Sequence, residues 1–127
     1  MIALAFPVVA PPAAAHTPVV VPSGQPVSLS EVLLDDAPGE PWLRFRFLAP
    51  SIARDGGTVD FETASGDIAH LCAAMVVPYV ALHDLDPARV VISLSDRDVA
   101  FGETDPEATQ FFESYRLDDG ACVWEEY

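Results

Sequence analysis

Lysine is absent from this chain, and arginine is scarce: six basic residues stand against 20 acidic ones, for a formal net charge of −14. A surface of that sign repels phosphate backbones and anionic lipid, which excludes nucleic acid and anionic membrane as partners. Glycine-rich phosphate loops are missing, as are a Gly-x-Ser-x-Gly turn and a His-Glu-x-x-His helix. No catalytic residue, metal ligand or cofactor site is therefore assigned. Charged side chains are missing from the whole N-terminal stretch up to Glu31. Cysteine is nearly absent too, with two in 127 residues.

Those two cysteines are informative because of where they fall. Cys72 lies in the middle of the best helical pattern and Cys122 in the second strand of the best hairpin pattern. An even count in a small chain with an uncharged leader points to one structural disulfide, Cys72–Cys122, in an oxidising compartment. The leader agrees. Residues 1–15 are apolar, small or proline, and Ala13-Ala14-Ala15 satisfies the small-residue rule for cleavage before His16. They lack a basic n-region, and Pro7, Pro11 and Pro12 break the apolar run. That run is too short and too interrupted for the roughly 20 residues of a spanning helix, so no transmembrane segment is expected. The expected location is periplasmic or secreted.

The domain plan is a signal-like leader over 1–15, a proline-rich extended arm over 16–26, and a single α+β domain over 27–127. In the arm, Val19-Val20-Val21 between Pro18 and Pro22 reads as an edge strand. Val27–Leu34 reads as a strand, followed by turn chemistry at Asp35–Pro41. Trp42–Leu48 alternates cleanly, with Leu43, Phe45 and Phe47 on one face and Arg44 and Arg46 on the other. Phe61, Ala64, Ile68, Leu71, Cys72, Met75 and Tyr79 follow helical spacing, with Asp60 as N-cap and Pro78 expected to kink or end the helix. Val90, Ile92 and Leu94 mark another strand. Asp119-Gly120 has the chemistry of a type I′ hairpin turn, which sets Leu117 opposite Cys122, Tyr115 opposite Trp124 and Glu113 opposite Glu126. The order β-β-α-β-β-β predicts a mostly antiparallel sheet of four to five strands with one helix packed on one face, and the disulfide joins that helix to the last strand.

Three segments carry the resemblance to a known family: Val21–Val27, Trp42–Pro50 and Phe111–Gly120. Together they resemble an uncharacterised family of small exported proteins of Rhodobacter-type alphaproteobacteria. The resemblance implies export and a bacterial source, and no activity.

Four constellations are candidates for function. The acidic loop Asp96–Glu107 mimics an EF-hand at its ends, with Asp96, Asp98 and Glu107. It fails in the middle, where Ala100 and Phe101 replace a ligand and the required glycine. His70 with Cys72, or with His83, is a weak metal pairing, because His70 and Cys72 are two apart on a helix and point away from each other. Glu113 facing Glu126 would raise a carboxyl pKa only if both were buried, and the open end of the hairpin is the expected place for them. The strongest candidate is the outward sheet face. Alternation sends Arg44, Arg46, Arg89 and Arg116 there, with Trp42, Phe112 and Tyr127 nearby, and arginine and aromatics are enriched in protein interfaces. The expected role is a non-enzymatic exported binding or accessory module with a protein partner in the cell envelope. The rival is a small periplasmic enzyme or divalent-cation-binding protein without a recognisable motif.

Overall fold

Alternating side chains over Trp42–Leu48 divide the molecule into two sides, because a strand whose odd residues are apolar can be satisfied only by covering one face. In the computed structural model, which describes residues 16–126, Leu43, Phe45 and Phe47 are all buried on that face. The leader 1–15 and Tyr127 lie outside the described residues.

Six strands form one sheet in chain order: β1 (Thr17–Val19), β2 (Val27–Asp35), β3 (Trp42–Leu48), β4 (Arg89–Ser95), β5 (Gln110–Asp118) and β6 (Ala121–Glu125). Every neighbouring pair is antiparallel except β3 and β4, which run parallel with Phe45 opposite Ile92. The sheet is thus mixed and six-stranded, not an antiparallel sheet of four to five. The cause is the long crossover. A helix between β3 and β4 carries the chain back to the end where β3 began, so β4 must run the same way. The arm strand is also displaced from its expected position: β1 ends at Val19, while Val21 turns inward to 3% exposure and packs in the core.

The crossover is a helical rod. Its first part, α1 (Phe61–Leu71), starts at Asp60, whose carboxylate accepts from the Thr63 N–H at 2.9 Å. That bond holds the Asp60 carboxyl below the usual carboxylate range. The rod then passes through a π turn (Cys72–Val76) into α2 (Val77–Leu82). Of the two outcomes expected of Pro78, a kink or an end, the helix does not end there; its regular α geometry is interrupted just before the proline. It falls in the first turn of α2, where a missing N–H is tolerated, and the wider turn before it takes up the mismatch. Over Phe61–Leu82 the rod is long and apolar enough to cross a membrane by length and composition alone. Here its apolar stripe is spent on the sheet. Ala64, Ile68, Leu71, Cys72 and Val76 lie fully buried against Phe45, Val90, Ile92 and Leu94, and Tyr79 meets Phe45 edge-on at 5.2 Å.

The hairpin forms as its turn dictates. Asp119 and Gly120 take φ of 52° and 77°, and Leu117 pairs with Cys122 and Tyr115 with Trp124. Cys72 and Cys122 are bonded, with their Cα atoms 6.3 Å apart, so the rod is tied to the edge strand β6.

Candidate binding face

The sheet face away from the rod carries Trp42, Arg44 and Arg46 from β3, Arg89, Val91, Ser93 and Ser95 from β4, and Phe112, Ser114 and Arg116 from β5. The four arginines singled out by alternation do share this face, with Trp42 and Phe112 beside them. They are not equally open. Arg44 and Arg46 keep only 14% and 16% of their side-chain surface exposed, whereas Arg116 keeps 48%. The expectation that all four stand exposed is corrected for the β3 pair and, less severely, for Arg89, which keeps 23% of its side-chain surface.

Two features cover that pair. β2 lays carboxylates beside it, so that Arg44 donates to Asp35 at 2.9 Å and Arg46 to Glu31. The Ala37 N–H and then Arg44 hold the Asp35 carboxyl below its ordinary range. The connection from β4 to β5 then folds back over the face. Arg46 donates to the Val99 carbonyl at 2.5 Å, and the Phe101 ring lies 5.3 Å from the Arg44 guanidinium and 5.6 Å from that of Arg46. On the open side, Arg89 stacks on Trp42 at 4.9 Å and reaches Glu125 at 3.5 Å. Arg116 donates to Glu125 at 2.9 Å and lies 3.5 Å from Asp118, and these carboxylates strengthen its hold on its proton.

The covering loop contains the EF-hand-like acids, and they are engaged elsewhere. Asp96 accepts from the Thr109 N–H at 2.7 Å and pairs with Arg97 at 3.1 Å. Burial pushes its carboxyl up, but the Arg97 and Thr109 hydrogen bonds outweigh burial and leave it below the usual value. Asp98 pairs with His16 at 3.0 Å, and Glu107 lies 3.7 Å from Arg97. Among the described residues, no group of three or more His, Cys, Asp or Glu side chains is arranged to hold a metal ion. His70 is exposed on the rod, while Cys72 is closed in the disulfide.

Beneath the loop the face is concave. A cavity of about 370 Å³ is lined by His16, Glu31, Arg46, Ser93, Arg97 and Asp98 among others. A smaller one of about 110 Å³ lies beside it under Phe101.

On the rod side, one polar residue, Asp67, carries no motif in the sequence, and another, Glu113, lies elsewhere than expected. Asp67 is 1% exposed and accepts from the Ser23 N–H (2.9 Å), the Ser23 hydroxyl (2.5 Å) and the Gln25 amide (2.8 Å), which pins the arm to α1. Glu113 is not at a solvated hairpin end. It is buried, and it accepts from the Ser65 hydroxyl at 2.8 Å and the Trp124 indole at 2.6 Å. Pairing of β5 with β6 stops at Ser114 opposite Glu125, so the sheet register sets no partner opposite Glu113.

A family model matches residues 4–127, that of a family of unknown function, DUF6497. The chain belongs to DUF6497. The DUF6497 match covers all three strands of the arginine face, the loop above it and both cysteines. No curated protein and no solved structure matches the chain.

Proposed function

We propose that this DUF6497 protein is a non-enzymatic, exported binding or accessory module that engages a protein partner in the cell envelope through its outer sheet face. The observation that supports the reading is the gathering of Arg44, Arg46, Arg89 and Arg116 on one face of a chain whose net charge is −14, with exposed Phe112 and stacked Trp42 among them. Such a face orients an encounter, because the acidic surface elsewhere repels an acidic partner. Arg44 and Arg46 are the framework of the face, and Arg89, Arg116 and Phe112 are its reachable part. Export fits the closed Cys72–Cys122 bond, since such bonds persist in oxidising compartments. Removal of the leader ahead of His16 belongs to the same reading.

Pull-down from a native envelope fraction with the wild type and with Arg89→Ser/Arg116→Ser tests it. A specific partner captured by the wild type should be weakened by the variant, more so at low salt. Equal capture by both proteins refutes the face, and an unprocessed Met1 on a cytosolic product refutes export.

A further inference from the structure

The cavity under the β4–β5 loop has a feature that packing does not explain. Ser93 is 5% exposed and lines both cavities, yet its hydroxyl makes no hydrogen bond among the described residues. Its oxygen is not among the atoms sealed in the interior without a partner, so it opens on the cavity, and an unpaired hydroxyl there offers a ligand's polar atom a place to bind. Ser93 stands directly beside Arg46 in the β3–β4 register. Arg46 gives its two terminal nitrogens to Glu31 and Val99, which leaves its Nε–H aimed at no acceptor among the described residues. One end of the cavity thus holds two unspent donors.

Charge of the opposite sign lines the same space. Glu31 uses Oε1 on Arg46, and Asp98 uses Oδ1 on His16, so among the described residues each carboxylate keeps a second oxygen to offer. A simple anion would meet these two carboxylates, and a simple cation would meet Arg46 and Arg97. A neutral sugar would need a ring to stack on, but of the rings in the described lining Phe47 is 2% exposed and belongs to the core, and the His16 imidazole is held by Asp98. A volume of about 370 Å³ is at the small end for ligand sites, too small for a dinucleotide or a long peptide.

We propose that this cavity binds a small zwitterion of the free amino-acid class. The ligand carboxylate takes the Ser93 hydroxyl and the Arg46 Nε–H, and its ammonium lies toward Glu31 and Asp98. The His16–Asp98 pair joins the start of β1 to the covering loop at the rim, so the arm helps to shape the site. The site goes beyond the partner face proposed above and is independent of it: a failed pull-down leaves the cavity standing, and a failed titration leaves the partner face standing.

Titration of isotope-labelled protein with each common L-amino acid, followed by NMR, tests the proposal, with acetate and methylammonium as single-charge probes. At least one amino acid should give saturable shifts at Ser93, Arg46 and Asp98, while both single-charge probes bind more weakly. Ser93→Ala should weaken that binding about tenfold, the loss of one hydrogen bond to a charged group, while leaving thermal stability unchanged or raised. Asp98→Asn, on the exposed rim, should weaken the amino acid and leave acetate unaffected. No saturable amino-acid binding overturns the proposal. So does acetate binding as tightly as the best amino acid, unaltered affinity in Ser93→Ala, or a Ser93→Ala protein that unfolds because the hydroxyl was structural.

Discussion

Replacing Asp67 should detach the arm from the helix, and the cost can be worked from its three hydrogen bonds. The carboxylate accepts at 2.9, 2.5 and 2.8 Å from Ser23 N–H, Ser23 hydroxyl and Gln25 amide. Alanine removes all three acceptors. Ser23 is exposed, so its two donors can return to water, but Gln25 is 7% exposed and its amide cannot. Hydrogen bonds to charged groups contribute about 1.5–3 kcal/mol each, so one stranded donor plus two weakened ones puts Asp67→Ala near 3 kcal/mol. Asp67→Asn should cost far less, about 1 kcal/mol. The reason is Gln25 Oε1, which is buried and has no partner among the described residues. If the Gln25 amide turns over, that oxygen accepts from the introduced side-chain NH₂, and the introduced carbonyl oxygen still serves the Ser23 N–H. Urea unfolding of the two variants gives both numbers, and hydrogen exchange at Val19 and Leu29 should quicken in the alanine variant alone. A loss below about 1 kcal/mol for alanine, or equal losses for the two, would refute the reasoning.

Cys72→Ala/Cys122→Ala should lower stability by about 4 kcal/mol for the 50-residue separation, seen as a fall in urea midpoint; an unchanged midpoint in the variant would show that the bond braces nothing. Burial, and then the Glu113 charge, push the Tyr115 phenol up to about 12, so the folded state holds it neutral where an unfolded chain has lost the proton. That contribution is intact below about pH 10 and drains away as pH rises toward 12, which phenolate absorbance and unfolding rates should show together. Pro78→Ala should change stability by less than about 1 kcal/mol, against about 3 kcal/mol for a proline in a regular helix interior, because the π turn has already accommodated it. Calorimetry decides that case, and a gain near the larger figure would mean the π turn is strained by the proline.

Local patterns were legible where one physical cause acts alone. The alternation of Trp42–Leu48, the Asp60 cap, the Asp119-Gly120 turn and the pairing of Cys72 with Cys122 each depend on nearby residues or on two cysteines having no other partner. What could not be read depends on register and direction. Glu31 reaches Arg46 only because β2 carries an irregularity between Leu29 and Glu31, and nothing local announces that shift. The parallel pairing of β4 left a trace in Val90-Val91-Ile92, a run buried on both sides instead of alternating, but Ser93 and Ser95 disguised it. The loop that buries those serines and half-covers Arg44 and Arg46 reads as an ordinary acidic connection. Asp67 did leave a usable signal: it falls three residues after Ala64 on the apolar stripe, where an unpaired carboxylate would be untenable.

The parallel seam between β3 and β4 also divides the molecule in time. On either side of it stands a three-stranded meander built from neighbours in sequence, β1 to β3 and β4 to β6, whose hairpins close without the helical crossover, the longest over the covering loop between β4 and β5. Only the seam needs the whole helical crossover to be in place, so its contacts carry the long loop-closure cost and belong late in folding. Arg46 and Ser93 face each other across that seam. The cavity between them therefore comes into existence only when the two halves have joined, and whatever it holds acts as a bolt between them.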